Sequence, residues 1–280
     1  MKKLFSILFC LNVLMAQSSF VGEQFERGSI NYSDRTIQAT GIGFIPENVI
    51  NAGQARRAAL RIAKQDALRQ LIEIVNGVVV TSETTMSNAM FDDVIKSRVQ
   101  GAIRGARQVG EVTYLSDTSI EVTYEVPMSG ISDVMMPPSG FLAPPAAGGV
   151  PSTGTPAVST PTGGPTTSAI TGLIIDVRGL GLRPAMSPRI LDQNGGVVYG
   201  PGNYTREYSI QNGVAGYAKG LERASADDRV KGNPLVIKGV SASGANKADV
   251  VIANADVMKI QSANSAHGVL RDCRVLFVLD

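Results

Sequence analysis

The amino-acid sequence predicts an α+β protein of two domains joined by a long linker. The N-terminal domain is expected to be a two-layer unit, with helices on one face of an antiparallel sheet. The C-terminal domain is expected to be a mixed α/β sandwich. Three patterns indicate this architecture: helical periodicity in residues 51–77, strict apolar–polar alternation in residues 119–126, and an uncharged interval between Asp133 and Asp176.

The first 16 residues predict a secretory signal peptide. Lys2 and Lys3 precede an apolar run of about a dozen residues, too short for a permanent membrane span, and cleavage is expected after Ala16. A lipid anchor on Cys10 is the alternative, but a small residue normally precedes a lipidated cysteine and here Phe9 does. The sequence therefore predicts an exported, periplasmic protein, with residues 17–35 as an N-terminal extension.

Removal of this peptide balances the charge of the chain. The whole sequence has 26 Lys and Arg against 24 Asp and Glu, so loss of Lys2 and Lys3 leaves 24 of each. A neutral protein has no electrostatic basis for binding nucleic acid, so no nucleic-acid partner is expected. Cys273 is then the only cysteine, which excludes an internal disulfide, and its place at the start of an apolar run predicts a buried thiol.

The first domain, residues 36–130, begins with a strand candidate and a long helix. The strand candidate reads RTIQATGIGFIP, and the helix is expected from its N-cap Asn51 to its stop at Gly77. Alanine at every fourth position predicts that this helix lies close to the sheet. The predicted buried face consists of Ala55, Ala59, Ala63, Ala67, Leu71 and Ile74, with Ile62 and Val75 at its edge.

A strand, a second helix and a hairpin complete the predicted first domain. One side of the second helix carries Phe91, Ile95 and Ala102. In the last strand apolar and polar residues alternate, which is typical of a sheet with one buried and one solvated face. The predicted ranges are strand 78–86, helix 87–106, and hairpin strands 107–115 and 118–128.

Residues 36–130 resemble a family of cell-envelope proteins. The segments ATGIG, AxxxAxxDALRxLxExVNGVVV, RVQGxIRGA and YLSDTSIEVTYEVP are similar to small outer-membrane surface lipoproteins and to the flagellar proteins FlgP and FlgT. The resemblance implies a non-enzymatic protein, without catalytic residues, that assembles into rings or discs around a motor. Many relatives are lipoproteins, a pattern from which Phe9 before Cys10 departs. The matching positions are Gly41, Gly43, Ala59, Ala63, Asp66, Ala67, Leu71, Gly77, Arg98, Gly101, Gly105 and Ala106.

The opposite face of the long helix is basic. A solvated surface is the ordinary interpretation of such a face, and a contact surface for a partner subunit or an anionic lipid head group is the alternative. The face carries Arg56, Arg57, Arg61, Lys64, Arg69 and Glu73.

Residues 131–169 predict a disordered linker rich in Pro, Gly, Ser and Thr. Such a composition cannot bury enough apolar surface to offset the entropy cost of ordering. The apolar residues at its start, Met135, Met136, Phe141 and Leu142, are suited to docking on a neighbouring surface. The two domains are therefore expected to fold independently and to touch little.

The second domain, residues 170–280, is predicted from three segments. Asn194 and Gly195 between two apolar runs indicate a hairpin, and residues 212–228 read as a helix. A strand, a helix capped by Asn254 and a last buried strand follow, as in a parallel pair with a crossover. The predicted buried side of the first helix is Val214, Tyr217, Ala218 and Leu221. The two ends of this domain also resemble a segment of the same envelope proteins, for which no activity is implied.

The loop DVRGLGLRP, residues 176–184, follows an apolar run and has the glycines of a phosphate-binding loop. A dinucleotide loop needs a third glycine and a helix N-terminus, but Pro184 stands in that place and a hairpin follows. The loop is therefore predicted to be the exit of a buried strand. The nearby Arg178, Arg183 and Arg189 remain candidates for binding an anionic group or a neighbouring subunit.

No catalytic, cofactor-binding or metal-binding residue is predicted. His267 is the only histidine, which excludes a multi-histidine metal site, and no Walker or nucleophile-elbow motif occurs. Paired carboxylates remain open, because Asp176, Asp192 and Asp256 all follow strand candidates.

The predicted function is that of a non-enzymatic structural protein in the periplasm or at the outer membrane. It is expected to form a ring or disc of a flagellar or similar envelope machine, with itself and other envelope proteins as partners and without a cofactor. The alternative is a periplasmic module that binds an envelope glycan or lipid through the basic helix face.

Overall fold

The structure, a computed structural model, describes residues 20–45, 51–135 and 169–280. The predicted signal peptide, Cys10 and residues 136–168 of the predicted linker lie outside these ranges. The described residues confirm an α+β fold with a two-domain layout.

The first domain contains one antiparallel sheet in the order β1-β2-β3-β5-β4. Helix α1 packs on one face, where the buried residues of α3 join the same core. This is the predicted two-layer arrangement. Its elements are β1 (Gly22–Phe25), β2 (Gly28–Asn31), β3 (Thr36–Gly43), α1 (Ala52–Asn76), α2 (Met86–Ala89), α3 (Asp93–Arg104), β4 (Arg107–Tyr114), β5 (Ile120–Pro127) and α4 (Met128–Met135).

The contact between α1 and β3 is close because both sides lack bulk. The alanines at 59, 63 and 67 are fully buried, and a Cβ on Gly41 would lie 2.0 Å from the Ala63 carbonyl oxygen. A Cβ on Gly43 would lie 2.0 Å from the Ala59 carbonyl oxygen. The predicted buried face of α1 and both caps are confirmed, since Asn51 accepts from Gly53 N–H and the helix ends at Gly77. Ile62, expected at the edge of that face, is 44% exposed.

Three features of the first domain differ from the sequence-based expectation. Strands β1 and β2 lie in the range predicted as an extension, and α4 continues into the range predicted as linker. Residues 78–86 form no ladder strand, only one isolated bridge between Val79 and Thr85. Several of their N–H groups bond within a local turn, while the carbonyls of Val79, Val80 and Ser82 accept from the second domain. Phe91, predicted to share a helix side with Ile95 and Ala102, precedes α3 and is 87% exposed.

The second domain contains one mixed sheet in the order β8-β7-β11-β10-β6-β12-β9. Four of its seven strands, β10, β6, β12 and β9, are neighbours and run parallel. Helices α6 and α7 contribute buried residues to two separate core clusters. The elements are β6 (Leu173–Asp176), β7 (Ile190–Leu191), β8 (Val197–Tyr199), α5 (Arg206–Asn212), β9 (Gly216–Lys219), α6 (Leu221–Ala226), β10 (Leu235–Ser243), β11 (Asp249–Ile252), α7 (Asn254–His267) and β12 (Val275–Leu279).

The hairpin around Gly195 and the buried last strand are confirmed, whereas the helix predicted over 212–228 is wrong. Gly213 and Gly220 both have positive φ, near +75°, which ends α5 and starts α6 and leaves strand β9 between them. Strand β11 is not the parallel partner of β12, because it pairs with β7 and β10. Asn254 does not cap α7 either: its side-chain oxygen accepts from Gln193 N–H.

Candidate functional site: the interface between the domains

The loop DVRGLGLRP is the exit of strand β6, as predicted, and no helix begins there. The anion that this loop binds is a side chain of the same protein, because Gly179 N–H donates to the carboxylate of Asp280 at 2.9 Å. Arg178 donates to Asp176 at 2.7 Å, and this bond, against partial burial, lowers the pKa of the Asp176 carboxyl. The polar groups of this loop are therefore bonded to carboxylates of the same chain, Asp176 and Asp280.

The three candidate carboxylates are held by separate local partners. Asp176 binds Arg178, Asp192 accepts from the backbone N–H of Gly196 at 2.7 Å, and Asp256 pairs with Lys259 at 2.7 Å. No cluster of three or more metal-binding side chains occurs in the described ranges. These contacts give each aspartate a structural role in a turn or at a helix start.

Cys273 is buried, as predicted, and His267 is the last residue of α7, as expected. Burial raises the pKa of the Cys273 thiol, which disfavours the thiolate that a nucleophile requires. Arg229 donates to the backbone carbonyl of Cys273 at 2.7 Å. Cys273 is therefore part of the packing of the second domain.

The two domains are bonded along residues 79–82, so the prediction that they touch little is wrong. Met186 and Ser187 donate their backbone N–H groups to the carbonyls of Val79 and Val80, at 2.9 and 2.8 Å. Asn246 N–H donates to Ser82 O at 2.7 Å. Two carbonyls of an apolar run that the sequence assigns to a strand, those of Val79 and Val80, thus accept hydrogen bonds across the interface.

A buried charge lies at the centre of this interface. Asp249, which is fully buried, accepts from Ser82 Oγ at 2.5 Å and from Arg189 Nε at 2.8 Å. Arg189 also donates to Ser82 Oγ at 2.8 Å and to Glu83 at 2.7 Å. The hydrogen bonds with Asp249, partly opposed by burial, raise the pKa of Arg189. The carboxylate is charge-paired and bonded to residues of both domains.

An aromatic cluster lies beside this network. The rings of Tyr32 and Tyr217 meet edge to face at 5.8 Å, and Tyr217 stacks on Phe277 at 5.7 Å. Tyr217 Oη donates to Ala185 O and accepts from Ala185 N–H, both at 2.9 Å. Ser33 Oγ donates to Tyr217 O in the edge strand β9 at 2.9 Å. These contacts join the first sheet to the core of the second.

A cleft of about 420 Å³ opens between the domains and is lined by both arginines and aspartates. Arg35 of the first domain donates to the carbonyls of Ile210 and Gln211 at the end of α5, at 3.0 and 2.5 Å. Arg229 donates to Gly213 O at 3.1 Å and to Asn212 O. The cleft is lined by Ser33, Arg35, Tyr208, Gln211, Asn212, Gly216, Asp227, Asp228, Arg229, Asp272, Cys273 and Arg274.

These two guanidinium groups bind the partial negative charge at a helix C-terminus. Burial, and next the positive charge of Arg229, lower the pKa of Arg35 to about 10. Burial also lowers the pKa of Arg229. Arg35 bonds α5 across the interface, whereas Arg229 bonds it from within the second domain, so Arg35 is the group that fixes one domain against the other here.

Sequence reasoning identified few residues of this interface. Arg183 and Arg189, which the sequence offers as candidates for binding an anionic group or a neighbouring subunit, both bind the first domain of the same chain, at Glu23 and Glu83. Ser82 and Asp249 carried no local signal, since neither belongs to a motif or a periodic face. Pairing of residues 167 positions apart is visible only in the fold.

The basic face of α1 is confirmed as exposed. Arg69 binds Asp66 at 2.7 Å, and Asp66 also binds Arg27 and accepts from Ile42 N–H at 2.9 Å. Partial burial acts to raise the pKa of Asp66, but these hydrogen bonds outweigh it and lower that pKa. Arg69 thus has a structural partner.

One comparison with known proteins gives a match. The family model described as Treponema pallidum Tp0624, second domain, matches residues 172–280, which is the second domain described above and less than half of the chain. No curated protein matches this sequence. In the described ranges, no helix combines the length and the apolar character that a bilayer crossing requires.

Proposed function

We propose that this chain is a non-enzymatic structural protein of the cell envelope. Its two domains act as one rigid block in a ring or disc of a flagellar or similar envelope machine. The observation that carries the proposal is the interface with the buried Asp249, because separating the domains would leave a buried charge without its partners, which favours one rigid block over a hinge. The resemblance of residues 36–130 to ring-forming envelope proteins supports the same proposal.

Light scattering on the chain from residue 17 onward tests this proposal. A structural ring component is expected to form a discrete oligomer whose mass rises with concentration and then levels off. A strictly monomeric protein at high concentration, with no envelope partner in pull-downs, contradicts it. Imaging cell envelopes with and without the gene then tests the location in the periplasm or at the outer membrane.

The second candidate function is binding of an anionic envelope glycan or lipid. It is favoured by the exposed Arg56, Arg57, Arg61 and Lys64, which make no ion pair within the described ranges. Saturable binding to vesicles of anionic lipid, lost in an Arg57→Glu/Arg61→Glu variant and kept in an Arg223→Glu variant, supports this candidate.

A further inference from the structure

An apolar and acidic knob projects from the first domain at the start of α3. We define the acidic knob as Phe91, Asp92, Asp93 and Val94. Phe91 is 87% exposed, more than any other large hydrophobic residue in the described ranges, and Val94 is 59% exposed. Asp92 accepts from Val94 N–H at 2.8 Å and Ile95 N–H at 3.2 Å, which fixes the helix start directly after Phe91.

A surface of opposite charge lies at the start of α1. We define the basic patch as Arg56, Arg57, Arg61, Lys64 and Tyr114. The Arg56 guanidinium lies 5.2 Å from the centroid of the Tyr114 ring, and Tyr114 is 55% exposed. Lys64 lies similarly over Tyr124, at 5.6 Å.

The basic residues of this patch form no ion pair with an acidic group of the described residues. The nearby Asp117 accepts from Ser119 N–H and Ser119 Oγ, at 3.0 and 2.6 Å, in the hairpin after Tyr114. In the described ranges, the salt bridges of α1 join Asp66 to Arg27 and Arg69, and Arg69 to Glu73, all outside the patch. The basic patch thus combines an aromatic face with unneutralised positive charge.

We propose that the acidic knob of one copy binds the basic patch of a second copy. Phe91 packs on the Tyr114 ring and the Arg56 stem, while Asp93 pairs with the surrounding arginines. The inference rests on the proposed function and adds which surfaces of the chain make the assembly contact. Because the two surfaces differ, the contact is head-to-tail, the type that closes into a ring or continues as a filament.

The first test replaces the apolar centre of the knob. Phe91→Ala is expected to weaken self-association, raising the dissociation constant Kd measured by analytical ultracentrifugation by about tenfold or more, because aromatic anchors dominate such contacts. Met258→Ala is the matched control: Met258 is 74% exposed but lies in α7 of the second domain. Circular dichroism is expected to be unchanged in both variants.

The second test reverses the charges on both surfaces. Asp93→Lys and Arg57→Glu are each expected to weaken association, and the double variant to restore it, because the pair then has opposite signs again. Asp93 is chosen because Asp92 forms the cap. Leu115 follows Tyr114 in the chain and is 37% exposed. Under mild oxidation, the double variant Phe91→Cys/Leu115→Cys is expected to give a ladder of disulfide-linked multimers, whereas either single variant forms dimers at most.

The outcomes separate this inference from the proposed function. An oligomer that forms with unchanged affinity in Phe91→Ala, and without rescue by the double charge reversal, overturns the knob-and-patch contact and leaves the proposed function standing. A chain that stays monomeric at every concentration overturns both. A loss of association in Met258→Ala equal to that in Phe91→Ala also overturns the inference.

Discussion

The α1–β3 contact and the contact between the two domains are both tight but are built differently. The first uses small residues repeated at helical spacing, so that Gly41 and Gly43 lie against the backbone of α1. The second uses single polar residues from distant positions around the buried Asp249. A local sequence pattern therefore predicts where backbones pack closely, whereas the hydrogen bonds of the domain interface can be read only from the complete fold.

The largest expected effect is at the interface. Asp249→Ala leaves Arg189 and Ser82 without their shared acceptor and is expected to lower the free energy of unfolding by about 3–4 kcal/mol. Urea denaturation followed by circular dichroism measures this. The control is Asp228→Ala, whose side chain is 98% exposed, with an expected change below about 0.5 kcal/mol. Equal losses in both variants would contradict the role of the buried charge.

The second effect concerns the small-residue contact. Gly41→Ala places a methyl group 2.0 Å from the Ala63 carbonyl oxygen and is expected to cost about 2–3 kcal/mol, because α1 must move. Gly101→Ala is the control, since its Cβ meets nothing within 4 Å and the change favours helix α3 by up to about 1 kcal/mol. Loss of stability in both, or in neither, would argue against close packing as the cause.

The third effect tests whether the two contacts communicate. Ala63→Leu is expected to destabilise the first domain by about 2 kcal/mol and also to speed labelling of the buried Cys273 thiol by maleimide, because the domains are bonded. Gln65→Leu on the exposed side of α1 serves as the control. An unchanged rate of Cys273 labelling in a destabilised Ala63→Leu protein would contradict this coupling and indicate that the two domains unfold independently.

The smallest effect is a pH dependence of the first domain. The hydrogen bonds of Asp66 lower its pKa in the folded state, so its stabilising contribution is present above the unfolded pKa of about 4 and is lost as pH falls below it. Urea midpoints at pH 7, 4 and 3 are expected to fall less steeply in Asp66→Asn than in the unchanged protein. A Gln65→Ala variant is expected to show the same fall of the urea midpoint with pH as the unchanged protein. An equally steep fall in Asp66→Asn would contradict the prediction.

Local patterns predicted most of the fold and little of the candidate site. The face of α1, its caps, the alternation in β5 and the buried strand β12 all follow from periodicity within one segment. Residues 212–228 misled because helical spacing in a short apolar segment also suits a strand, and only the positive φ of Gly213 and Gly220 decides between them. No local pattern predicts the Ser82–Asp249 hydrogen bond, because its two residues are far apart in the sequence and neither belongs to a motif.

The hydrogen bond from Ser33 to strand β9 has a consequence for solubility. Strand β9 ends the second sheet, and such an edge offers free backbone groups to any other extended chain. Here the turn between β2 and β3 contacts this edge at Tyr217, through the Ser33 hydrogen bond and the Tyr32 ring, so the first domain is expected to hinder its pairing with other chains. A fragment that starts at residue 169 is therefore expected to precipitate or form fibrils at concentrations where the whole chain stays in solution.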